Sequence, residues 1–73
     1  MVKITDIIPF MNHGWVAMDS NGEWYWYDLK PFVENEYNWC NGLHGCAFDL
    51  CMFDIEPVDD WKQSLIKIGD SND

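Results

Sequence analysis

Cys40, His44, Cys46 and Cys51 spell C-x3-H-x-C-x4-C, and zinc chelation is the first chemistry that this cluster raises. A structural zinc takes four ligands in a tetrahedron, usually with at least one C-x2-C knuckle or its equivalent. No such knuckle is present, and on a regular strand Cys46 and Cys51 point to opposite faces. The competing reading makes Cys51 a small buried hydrophobe. Cys40 and Cys46 would then bracket a turn, where a cross-strand disulfide is feasible in an oxidising medium. An odd set of 3 cysteines does not build a secreted disulfide framework. His13 in "MNHG" and His44 in "NGLHG" sit in turn-like settings, with no Ser or Cys in an activating motif beside them. Nucleophile elbows, phosphate-cradling glycine loops and dinucleotide fingerprints are absent from the sequence. The expectation is a protein that is not an enzyme and carries no cofactor or metal.

Charge is the stronger signal. Thirteen acidic residues face 4 lysines and no arginine, for a formal charge of −9. Such a chain is repelled by nucleic-acid phosphates and by anionic membrane surfaces, and it lacks the residue best suited to bidentate phosphate recognition. Direct nucleic-acid or membrane binding is therefore not expected. Between Lys30 and Lys62 lie Glu34, Glu36, Asp49, Asp54, Glu56, Asp59 and Asp60, uninterrupted by a cation. If Glu34/Glu36 and Asp54/Glu56 lie on strands, each pair sits about 6.6–6.8 Å apart on one face, similar to successive phosphates of a nucleic acid. Carboxylates so arranged mimic DNA and compete for a basic groove. The plainer alternative is a solvating face that keeps an apolar little protein in solution.

Gly22–Tyr27 ("GEWYWY") and Asp59–Ile66 ("DDWKQSLI") are similar to stretches of short bacteriophage accessory proteins. The resemblance implies an inhibitor of host defence, of the anti-CRISPR or anti-restriction type, acting in the cytoplasm of the host cell on a defence nuclease or effector complex. The partner surface expected on the acid pattern and the aromatic richness comprises Glu34, Glu36, Asp54, Glu56, Asp59 and Asp60, with Trp15, Trp24 and Trp26 as anchors. An alternative is a module that sequesters a nucleotide signal by stacking its base on Trp15, Trp24 and Trp26. An isologous homodimer burying the same tryptophans also fits the pattern.

These residues need elements to place them. Seventy-three residues, 48% hydrophobic and 16% aromatic, make one domain near the lower size limit for a self-sufficient core. Residues 1–69 are expected to form it, with 70–73 as a frayed acidic tail. No run reaches the roughly 18–20 apolar residues of a membrane span, and the N-terminus lacks a signal-peptide pattern. Asn21-Gly22 between apolar runs predicts a hairpin. A two-residue loop pairs Met18 with Tyr25 and Val16 with Tyr27. A longer Ser20-Asn21-Gly22 loop with a bulge shifts this pairing but keeps the alternation along Glu23–Leu29. In the first register Val16, Met18, Tyr25 and Tyr27 share a face suited to the core, leaving Trp15, Ala17, Trp24 and Trp26 for a rim or partner. Further strands are expected at "KITDII" (3–8), "EYNWC" (36–40) and "CAFDLCMFDI" (46–55), with "KPFVEN" (30–35) as a connection. Residues 58–68 read either as a helix or as a 3-10 turn followed by a closing strand, "SLIKI"; Trp61 is core in both. The fold class is mainly β: a small antiparallel meander or SH3-like, partly open barrel of about five strands.

Overall fold

The computed structural model describes residues 1–42 and 45–69; the acidic tail at 70–73 and His44 lie outside them. Strands β1 (Trp15–Met18), β2 (Trp24–Tyr27), β5 (Ala47–Asp49) and β6 (Ile66–Lys67) form an antiparallel sheet in the order β5-β2-β1-β6. Strands β3 (Phe32–Val33) and β4 (Trp39–Cys40) pair separately as a second ribbon. The chain is mainly β, as its alternating aromatic pattern predicts. The main sheet stays open, with β5 and β6 at its ends, and it is not a simple meander because β2 is joined by β5 after the β3–β4 excursion.

The central hairpin takes the longer loop. Met18 lies opposite Trp24, Ala17 opposite Tyr25, Val16 opposite Trp26 and Trp15 opposite Tyr27. A two-residue type I′ turn would require positive φ at both Asn21 and Gly22, but only Gly22 adopts it, at +90°. Asn21 instead uses its side chain, whose Oδ1 accepts the Glu23 N–H at 3.0 Å, the local bond that Asn favours in turns. Gly22 N–H donates to the Asp19 carbonyl and Asp19 N–H to that of Glu23, closing a three-residue loop.

A one-residue shift of register exchanges faces. Val16, Met18 and Trp24 therefore pack together with Ile4, Leu50 and Ile68 in the larger core cluster, with Trp26 and Ile66 against it. On the other side Ala17 and Tyr27 pack with Trp39, flanked by Tyr25, Trp61 and Leu65. Trp61, expected in the core, is half-buried and packs against both clusters without belonging to either.

Several expected elements are corrected. Lys3–Ile8 is not a strand: Ile4–Ile7 form a short helix, α1, followed by a 3-10 turn at Ile8–Phe10. Asp6 supplies the reason, because its carboxylate accepts the Lys3 N–H at 3.2 Å, while Pro9 falls in the first turn of the 3-10 segment, where its missing N–H is not needed. "KPFVEN" is not merely a connection, since Phe32 and Val33 form β3 opposite Cys40 and Trp39. The run 46–55 breaks after Asp49: a 3-10 turn at Cys51–Phe53 follows, ended by Asp54 at φ +44°, so Cys46 and Cys51 do not share a strand. In the tail the closing-strand reading holds, with a 3-10 turn at Trp61–Gln63 leading into β6.

Strand β6 covers β1 only at Trp15 and Val16. Beyond it, the outward peptide groups of Met18 are met by side chains. The Ser64 hydroxyl accepts the Met18 N–H at 2.8 Å and donates to the Trp61 carbonyl at 2.6 Å. The Trp39 indole N–H is shared between the carbonyls of Met18, at 3.1 Å, and Trp61, at 3.2 Å. A buried backbone group left without a partner costs about 1–3 kcal/mol. Ser64→Ala is accordingly expected to lower unfolding free energy by about that amount in urea titration, with little change in m-value. An unchanged midpoint would show that Ser64 does not carry this edge.

Candidate functional site

On the side of the sheet that carries Tyr25 and Tyr27, the β3–β4 ribbon leaves a cleft of about 320 Å3 whose lining includes Asp19, Tyr25, Tyr27, Glu34, Trp39 and Ala47. The alternation of β2 brings both phenols to this side, with ring centroids 6.4 Å apart and planes tilted by 36°. Carboxylates gather round them. The Tyr25 hydroxyl donates to Glu23 at 3.1 Å, Asp49 lies opposite Tyr25 across the β2–β5 ladder, and Glu34 stands on the far wall. Asp19 is buried at the end of β1, where it accepts the Trp39 N–H at 3.0 Å.

The electrostatics record this convergence. Burial pushes the Tyr25 phenol up to about 12, helped by its bond to Glu23 and by the charges of Asp49, Glu23 and Asp19. Tyr27 is also pushed up, by burial first and then by the charge of Asp19. The Asp19 carboxyl rises because burial outweighs its Trp39 hydrogen bond, with Glu23 adding repulsion. Cys51 is raised chiefly by the charge of Asp49. Burial leads three of these four shifts, and the charge of Asp19, Glu23 or Asp49 adds to each of them. A cleft of this kind suits a cation: carboxylates supply charge, and the half-buried Tyr25 ring, with buried Tyr27 beneath it, supplies an electron-rich surface on which an ammonium or guanidinium group gains about 0.5–2 kcal/mol.

Few of the sequence-predicted site residues meet here. Glu34 lines the cleft, and Glu36 is exposed on the adjoining β3–β4 loop. Asp54 adopts left-handed backbone and pairs with the N-terminal amine at 3.8 Å. Glu56 borders a separate groove with Lys3, Ile4 and Pro57. Asp60 caps the Trp61–Gln63 turn by accepting the Lys62 N–H at 3.1 Å, and Asp59 is exposed beside it. Neither expected acid pair lies in a strand, so the strand geometry that would set a phosphate-like spacing is not present at either pair.

The tryptophans require the firmest correction. Trp15 is 4% exposed and Trp24 2% exposed, so neither presents a ring to a partner or a base, and a platform built from Trp15, Trp24 and Trp26 does not exist. The register shift turned Trp24 into the core. Trp26 alone of the three reaches the surface: its indole N–H donates to the His13 carbonyl at 2.8 Å, and its ring meets Phe48 at 5.6 Å and His13 edge-on at 5.5 Å. Gly14 permits this crossing, since a Cβ there would strike the Trp26 indole and the Tyr27 carbonyl.

The thiols of Cys40, Cys46 and Cys51 are free, and among the described residues no three His, Cys, Asp or Glu side chains are placed to hold a metal ion. Among those residues, too, no helix is long and apolar enough to cross a membrane. No family model matches this chain, no curated protein matches its sequence, and no solved structure matches its fold.

The unfolded chain's phenols ionise near the ordinary value of 10.0, whereas Tyr25 holds its proton to about 12. A raised phenol contributes stability that is fully present below pH 10.0 and is lost as pH rises through the folded value. Denaturant midpoints are expected to fall between about pH 10 and 12, and the Tyr25→Phe/Tyr27→Phe double variant to lose that slope. The same field predicts that Asp49→Asn speeds the reaction of Cys51 with a thiol-directed reagent near neutral pH by lowering its thiol pKa.

Proposed function

We propose that this protein is a non-enzymatic binding protein that docks on a basic surface of another protein and occludes it, using the cleft around Tyr25 and Tyr27 to receive cationic side chains. The observation that carries this reading is the convergence of Asp19, Glu23, Glu34 and Asp49 on two neighbouring phenols. The overall charge of −9 supports it, because long-range attraction would steer encounter with a positive partner while repelling nucleic acid and a second copy alike. The placement of Lys67 supports it further, since this residue lies on β6, at the other end of the main sheet from β5.

The class of partner comes from the resemblance to phage accessory proteins. A host defence nuclease or effector complex has a nucleic-acid groove lined with lysine and arginine, and a plug of this size and charge would cover it in the host cytoplasm. Charge gives such a complex a fast, salt-sensitive association rate, while the exposed aromatic rings add contact area that slows its release.

The test is a partner captured from bacterial lysate, identified, and titrated with the purified protein at about 50 mM and about 500 mM salt. Affinity is expected to fall steeply with salt. The Glu23→Gln/Glu34→Gln/Asp49→Asn variant is expected to bind at least about tenfold more weakly at low salt, with its unfolding midpoint little changed, since exposed substitutions usually shift stability by under about 0.5 kcal/mol. Equal affinity at both salt concentrations, or in the variant, would remove the electrostatic basis of the reading.

A further inference from the structure

Strand β5 closes one end of the main sheet, and all three of its residues are exposed. Its hydrogen-bonding pattern fixes which peptide groups face β2 and which face away from it. Leu50 N–H donates to the Trp24 carbonyl, and Asp28 N–H to that of Cys46. With Trp26 opposite Phe48 between them, the antiparallel alternation turns Cys46, Phe48 and Leu50 toward β2 and leaves the N–H and C=O groups of Ala47 and Asp49 pointing outward. These are the groups with which another extended chain would pair.

The two faces beside this edge differ in chemistry. Asp49 and Ala47 belong to the side of Tyr25 and Tyr27, where the carboxylates gather. Phe48, 62% exposed, belongs to the other side, where it lies on Trp26 and lines a groove of about 280 Å3 with Met11, His13 and Leu50. We infer that β5 accepts an extended segment of a basic partner as a fifth strand, with the alternation cation, apolar, cation set opposite Asp49, Phe48 and Ala47.

Period-two alternation makes this pattern follow from the edge itself. Residues of the added strand directly opposite Ala47 and Asp49 share their face. One meets the Asp49 carboxylate beside Tyr25 and Glu23, and the other reaches over the small Ala47 side chain toward Glu34. The residue between them falls on the opposite face, against Phe48 and Trp26. Charge complementarity selects the occupant: a second copy would bring its own Asp49 and its net charge of −9 to the same edge, an arrangement in which like charges repel. The acid that keeps copies apart is the one that favours a cationic strand.

This inference rests on the proposed docking of a basic protein and adds the backbone mode by which it occurs. The probes are synthetic peptides of alternating Lys/Arg and Val, the same peptide N-methylated at alternate residues so that its charge and side chains are kept but its donors are lost, and a peptide of the same composition in which the cations are consecutive. Binding is followed by calorimetry and by hydrogen exchange at the Ala47 and Asp49 amides. Only the alternating, unmethylated peptide is expected to bind well and to slow exchange at both amides. N-methylation, and separately Ala47→Pro in the protein, are each expected to weaken it by about tenfold, the effect of losing one or two hydrogen bonds. Ala47→Pro is compatible with the fold because the N–H it deletes is not part of the β2–β5 ladder, and an unchanged urea midpoint will check that. Equal binding of the methylated or consecutive-charge peptides would overturn strand addition while leaving charge-driven docking intact. Binding of none of them would overturn both. Concentration-dependent dimerisation that protects the Ala47 and Asp49 amides without peptide would assign the edge to a second copy and overturn the inference.

Discussion

The pairing of β1 with β2 is the constraint on which everything else in this molecule depends. Three loop residues, set by Gly22 at positive φ and by the Asn21 side chain, place Met18 opposite Trp24. That single parity sends Trp24 into the larger core, brings Tyr25 and Tyr27 to the other face, and puts Asp49 beside Tyr25 when β5 joins. Moved by one position, Met18 would face Tyr25 instead of Trp24, and the side chains that share each face would be exchanged. Core and cleft are two results of one turn.

The second requirement is a partner for the outer edge of β1 where β6 stops. A small sheet cannot leave buried peptide groups dry, and here the partners come from two separate places, the Ser64 hydroxyl and the Trp39 indole, while the Asp19 carboxylate at the end of β1 accepts the Trp39 backbone N–H. Trp39 does two jobs, filling the space over Ala17 and Tyr27 while bridging two carbonyls. The β3–β4 ribbon is thereby tied to the sheet, which gives the cleft its far wall. Structural and functional uses of the aromatic residues are therefore not separable: Trp39 and Tyr27 hold the fold and line the site.

The sequence made the hairpin, the mainly β class and the closing strand at the C-terminus legible, because Asn-Gly and the apolar alternation are strong local signals. It left the register open. Asn21 can satisfy either a two- or a three-residue loop, and the choice between left-handed backbone and a side-chain bond is a matter of a few dihedral angles. Helix α1 was hidden because four residues are too few to show a period and Ile4, Ile7 and Ile8 suggest a strand. Strand β3 was hidden behind Pro31. Of the site, Glu34 was found from charge alone, whereas Asp19, Glu23 and Asp49 became significant only once the register placed them around the phenols. Trp15 and Trp24 were misplaced for the same reason, since in a two-sided apolar hairpin ring size does not say which side faces out.

The bond between Met18 and Ser64 spans 46 positions of the chain. The central strand thus waits, with one side bare, for a residue near the far end of the domain. Loop closure over such a distance must precede the reward of forming the contact, so the protein should assemble slowly for its size and nearly all at once. Until the C-terminal segment arrives, a tryptophan-rich ribbon carrying an unfinished border is what the cell's quality-control machinery would meet, and the surplus of carboxylates would then serve a purpose unrelated to any partner: keeping immature copies from sticking to one another.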